Sequence, residues 1–148
     1  MNTVVDDFLA CDNCPELTTG LLQTLRTRFT DTISSADSPT FYGIETTRLN
    51  NHGNLLTQTD YIARVADTMG IYHLELVDTP AHSDYFVDPT PSPTIDPSPY
   101  QKLTGHLVQT LKTRDDVRHF VSFLCSKNQS TTYSDYEKAI HLLGYLNL

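Results

Sequence analysis

The chain has 148 residues, 39% of them hydrophobic and 19% charged, with no Trp and a formal net charge of −8. That length suits one ordinary domain or a small domain with an appended subdomain, and the acidity argues against free-standing nucleic-acid binding, which draws its affinity from Lys and Arg displacing counterions at phosphates. No stretch reaches the roughly 20 apolar residues of a membrane helix. The start Met1 to Asp7 lacks a basic signal-peptide head, and three cysteines are too few for a disulfide framework. The expectation is an intracellular protein, cytoplasmic or nuclear, with no membrane partner.

In chain order, Val4-Val5-Asp6-Asp7-Phe8-Leu9-Ala10 sets an acidic pair between β-prone residues and predicts a hairpin with Asp6 and Asp7 at its tip. Pro15 suits a first helical position, and Leu17, Leu21, Leu25 and Phe29 recur every fourth residue, predicting an amphipathic helix over roughly Glu16 to Thr30. Phe41 to Leu49 is β-branched and aromatic. Asn50-Asn51-His52-Gly53 then supplies turn residues before Leu55-Leu56, which reads as a second hairpin. Thr57 with Asp60 predicts the cap of a following helix, Leu56 and Tyr61 its staple, Tyr61, Ile62, Val65 and Met69 its buried stripe, and Gly70 its end.

Between Asp78 and Pro99 lie six of the eight prolines, among Asp, Ser and Thr, which predicts a linker over 78–99. Ser98, Pro99 and Gln101 then predict a helix start ahead of Leu103, Leu107 and Leu111. Thr113 with Asp116, and Ser134 with Glu137, repeat the capping arrangement before Val117-Phe120-Val121-Leu124 and Ile140-Leu143. The fold class expected is therefore α+β: two short β-hairpins and a helix, followed by a mainly helical region over 100–148. Charge follows the same division, with −10 over residues 1–99 and +2 over 100–148.

Ordered blocks along nearly the whole chain resemble the reverse transcriptase of Ty1/copia retrotransposons. Val4-Val5-Asp6-Asp7 resembles that family's Tyr-Val-Asp-Asp box, with Val4 in place of the aromatic residue, and Phe41-Tyr42-Gly43-Ile44-Glu45 is similar to its Phe-Leu-Gly-Ile-Glu primer-grip block. Leu56-Thr57-Gln58 with Tyr61-Ile62, Asp78-Thr79-Pro80, Tyr100 to Gly105 with Leu107, and Thr113 to Val117 each resemble a later block in order, although Asp115 stands where the family has proline. Tyr136 to Ile140 and Tyr145-Leu146 are similar to the segments that precede the ribonuclease H domain. Any one block is weak, and the shared order carries the resemblance.

The resemblance implies a partial palm and the start of a thumb over 1–77, and a thumb or connection region over 100–148. It implies Asp6 and Asp7 as catalytic residues and ligands of Mg²⁺, which polymerase chemistry uses as an ion pair held by carboxylates. A further carboxylate and the fingers come from earlier in the family's chain, so this chain is expected to be inactive alone. Phe41, Tyr42, Gly43 and Ile44 are the implied primer contacts, against a reading as a core hairpin with Gly43 at a bulge. Arg114, near Lys112 and Arg118, is a candidate contact to a template backbone, against a solvated helix surface. The implied partners are an RNA or DNA template-primer and a missing palm and fingers chain. A second reading is a host-adopted protein-interaction module or one half of a split polymerase. Cys11 and Cys14 read as free thiols, and the six histidines show no ligand-type spacing and receive no role.

Overall fold

The computed structural model describes residues 14–29, 40–50, 53–87 and 91–148, which fall into two compact units, Met1–Thr57 and Gln58–Leu148. The architecture is α+β, as expected, with three antiparallel strands in one sheet and five α-helices among the described residues. The first predicted hairpin, with Asp6 and Asp7, lies outside the described residues, as does Cys11.

In the first unit α1 spans Pro15–Arg28, with proline in its opening turn, Glu16 in the first turn and Arg26 and Arg28 in the last. Acid at the N-terminus and base at the C-terminus complement the helix dipole. Leu17, Leu21 and Phe29 of its predicted stripe stay exposed. The sheet is a meander of β1 (Thr40–Phe41), β2 (Ile44–Arg48) and β3 (Asn54–Thr57), in that spatial order. The stretch Phe41 to Leu49 is therefore not one strand. It reverses at Tyr42 (φ 54°) and Gly43 (φ 76°), where positive φ at two successive residues makes the tight turn whose twist matches a hairpin. Thr40 thus faces Glu45, and Phe41 faces Ile44.

Thr57 does not cap the next helix. Its hydroxyl donates to the Glu45 carboxylate at 2.9 Å, joining the paired residues of β3 and β2.

The second unit is helical: α2 (Thr59–Thr68), α3 (Pro97–Thr110), α4 (Arg118–Ser126) entered through a 3-10 turn at Asp115–Val117, and α5 (Tyr133–Leu146). Tyr100, Leu103 and Leu107 of α3, Val121 and Leu124 of α4, and Ala139, Leu142 and Leu143 of α5 are sealed at 0–1% exposure together with Val117. Ile62 and Val65 of α2 join them, as the stripe predicted, and Gly70 (φ 70°) turns the chain out of α2. Burial of some ten apolar side chains, each worth about 1.5–3 kcal/mol, is what holds helices this short.

The helix starts differ from the expected frames. Asp96, not Ser98, caps α3: its carboxylate accepts from the Ser98 amide at 3.0 Å, with Pro97 following directly. Thr132 and Asp135, not Ser134 and Glu137, form the reciprocal capping box of α5. Thr113 donates to the Gln58 side chain at 2.7 Å instead of capping α4. Several Ser/Thr-x-x-acid frames overlap in this sequence, and the frame adopted is the one that turns the leucine stripes inward.

The described parts of the expected 78–99 linker pack on the helices. Tyr85 is 2% exposed and its hydroxyl donates to the Phe120 carbonyl at 3.5 Å. Thr94 pairs with Thr132, and the Tyr133 amide donates to the Pro93 carbonyl at 2.9 Å. Proline removes ladder donors but leaves side chains free to bury. The compact units part between Thr57 and Gln58. Among the described residues no helix is long and apolar enough to cross a membrane.

Candidate functional site

Three places carry the candidate chemistry, one in the first unit and two in the second. The first is the turn from Phe41 to Ile44. Phe41 and Ile44 form a half-buried cross-strand pair, and between them Tyr42 stands 59% exposed at the tip. Holding a tyrosine at φ 54° costs about 1–2 kcal/mol, which the flanking strands offset. The result is a tight tip presenting one aromatic ring and a glycine backbone, geometry able to meet a ring face or a sugar edge.

The second is the α3–α4 corner. Arg114 grips Asp116 through both fork positions, Nε to Oδ1 at 3.0 Å and Nη2 to Oδ2 at 2.9 Å. Its guanidinium also lies 5.0 Å from the centre of the Tyr145 ring, whose hydroxyl donates to Asp116 at 3.5 Å. The Arg114 hydrogen bonds hold the Asp116 carboxyl below its usual range, and Asp116 in turn raises Arg114. Arg118 pairs with Asp115 at 2.5 Å on the exposed side. A phosphate at this corner would have to displace a bidentate carboxylate from Arg114, so its backbone-gripping capacity is reduced.

Asp6 and Asp7 lie outside the described residues, and among the described residues no group of three or more His, Cys, Asp or Glu is placed to hold a metal ion.

The third place went unread in the sequence. A cleft of about 530 Å³ opens between the segment before α3 and the face of α5, lined by Glu75, His82, Asp84, Glu137, Lys138 and His141 among others. The His82 and His141 rings touch, with centroids 4.1 Å apart and planes 48° from parallel. His141 Nε2 lies 3.0 Å from the Thr79 carbonyl oxygen, which can only accept, so Nε2 carries the proton. Burial and then the charge of His82 hold His141 below its ordinary value, while the Thr79 carbonyl and Glu75 pull the other way. Spacing could not reveal this pair, because His82 sits in the proline-rich stretch and His141 on a helix far along the chain.

Tyr85, which lines the cleft, and Tyr100 in the core are held neutral: burial first, then Asp135, pushes both far above their ordinary range. No protein-family model, no curated protein and no solved structure matches the chain.

Proposed function

We propose that this chain is a palm and thumb portion of a Ty1/copia-type reverse transcriptase that polymerises only when joined by the palm and fingers segment it resembles the continuation of. The observation that carries the reading is the order of the blocks, from Val4-Val5-Asp6-Asp7 through Phe41 to Glu45 and on to Tyr145-Leu146. The tight turn inside the Phe41 to Ile44 block supports it, because a primer-positioning loop needs a rigid, closely approachable backbone. In this reading Asp6 and Asp7 contribute two carboxylates, and another chain segment contributes the remainder.

Primer extension on an RNA template with Mg²⁺ or Mn²⁺ tests it. The 148-residue chain alone is expected to give no extension, and mixing with a separately produced palm and fingers chain is expected to restore it. Asp6→Ala should then abolish the restored activity. Failure of every such mixture to extend, or extension indifferent to Asp6→Ala, would sink the proposal.

A second reading, a protein-interaction module, draws support from the apolar side chains the first unit leaves exposed: Leu17, Leu21, Phe29, Leu49, Leu55 and Leu56. A monodisperse chain that binds no palm and fingers segment and co-purifies with no partner would count against both readings.

A further inference from the structure

We propose that the outer edge of β3 is a self-association site, where a second copy of this chain adds its own β3 antiparallel about a two-fold axis at Leu55. The proposal uses the first unit alone and is independent of the polymerase reading.

Hydrogen-bond parity in the hairpin fixes what that edge offers. The Leu49 amide donates to the Gly53 carbonyl at 2.8 Å, and the register continues without a bulge through Arg48 with Asn54, Thr47 with Leu55, Thr46 with Leu56 and Glu45 with Thr57. Hydrogen-bonded and non-hydrogen-bonded pairs alternate along an antiparallel ladder. Leu55 and Thr57 therefore turn their backbone groups toward β2, while Asn54 and Leu56 turn theirs outward. The sheet order is β1-β2-β3, and among the described residues no strand lies beyond β3. The edge carries none of the usual guards: Asn54-Leu55-Leu56-Thr57 holds no proline and no charge. Leu55 and Leu56, on opposite faces of the sheet, stay 48% and 50% exposed.

A second copy matches this edge when the axis lies at Leu55. Asn54 then faces Leu56 of the second copy, and Leu56 faces its Asn54, each a hydrogen-bonded pair that satisfies the outward donor and acceptor of both residues. Leu55 meets its own symmetry mate at the closer, non-hydrogen-bonded spacing, so an identical side chain covers it on the same face. An axis at Leu56 would oppose Asn54 to Gln58, and one at Asn54 would oppose Leu56 to His52, both beyond the strand. The charge pattern suits a like partner. Although the chain carries −8, the paired segment sets no charge against its copy, and Glu45 and Arg48 sit one strand back. What the edge recognises is backbone and leucine, and β3 itself supplies both. The opposite edge, β1, is two residues long and offers little to a further strand, so the assembly closes as a dimer.

Sedimentation velocity and amide hydrogen exchange on the full chain test this. The chain should sediment as a dimer that dissociates on dilution. The Asn54 and Leu56 amides should gain protection as concentration rises, while those of Leu55 and Thr57, bonded to β2, stay protected throughout. Leu56→Pro deletes an outward N–H without removing a β2 ladder bond, and Leu55→Lys sets two ammonium groups opposite each other at the axis. Each should weaken dimerisation roughly tenfold or more. Retained protection of the Thr57 amide shows that the sheet of either variant is folded. A chain that stays monomeric at NMR concentrations overturns the proposal, as does a dimer indifferent to both substitutions, or one whose gain in protection falls on other amides.

Discussion

Gly144 is the position where a single methyl group tests the packing of the second unit. It is buried in α5, and a Cβ built there falls inside the van der Waals envelope of the Glu75 carbonyl oxygen, with the Val77 side chain also near. The obstruction is backbone, which has no rotamer to swing aside. Gly144→Ala therefore forces the Glu75–Val77 segment off α5 or bends the helix, an overpacking of about 3 kcal/mol or somewhat more. Against it stands the gain of alanine over glycine in a helix, about 1 kcal/mol. The net expectation is destabilisation by about 2 kcal/mol, or a fall in Tm of roughly 8–16 °C at about 4–8 °C per kcal/mol for a unit of this size. Gly105 in α3 is the internal control, because nothing lies within 4 Å of its added Cβ. Gly105→Ala should stabilise by about 0.4–1 kcal/mol. Thermal and urea unfolding followed by circular dichroism measures both. If Gly144→Ala unfolds at or above the wild-type temperature while Gly105→Ala behaves as expected, the close approach of the Glu75 backbone to α5 is wrong.

The capping frame of α5 is open to a paired test: Thr132→Ala should cost about 1–2 kcal/mol in urea unfolding, while Ser134→Ala should stay within about 0.5 kcal/mol. The reverse ranking would restore the frame expected from sequence. Gly43→Ala, at φ 76°, should cost about 1 kcal/mol or more and broaden the amide resonances of β1 and β2, whereas unaltered spectra would remove the tight turn. The pH dependence has a definite sign. His106 is held below its ordinary 6.5 by burial and then Lys102, and His141 by burial and then His82. Below 6.5 the unfolded chain binds protons the folded chain refuses, so this stability is present above 6.5 and is lost as pH falls toward the folded values. The urea midpoint should be lower at pH 5.5 than at pH 7.5, and a midpoint that holds or rises would contradict the assignment. Asp96 and Asp116, lowered by their hydrogen bonds from Ser98 and Arg114, contribute stability lost only below their ordinary 3.8, a separate window.

The leucine and valine stripes were legible because helical periodicity is a property of local sequence. Ile62 and Val65, Leu103 and Leu107, Val121 and Leu124, and Leu143 all point inward as their spacing implies, while Ile140 is half-buried and Leu142 joins the core unforeseen. The chain reversal at Tyr42-Gly43 was harder to read, since a tyrosine at positive φ runs against its own preference and is imposed by the pairing of β1 with β2. Of the candidate site, Arg114 could be found by its charge but not its engagement: Asp116 lies two residues away in sequence, while Tyr145 arrives from α5. The two histidines of the cleft carried no signal at all, because contact between them depends on where the segment before α3 lies against α5.

What the sequence determined by itself is the α+β class, much of the inward faces of α2 to α5, and the ordered blocks on which the proposed lineage rests. These are one-dimensional properties, set by residue type and spacing. Tertiary structure alone decided which of several capping frames is used, that the described parts of the proline-rich stretch pack on the helices, that Gly144 meets Glu75, and that His82 meets His141. Each of these depends on the free energy of bringing distant segments together. Composition limits that free energy but cannot place it, because a missing ladder donor at proline and a short side chain at glycine say only what a segment is free to do.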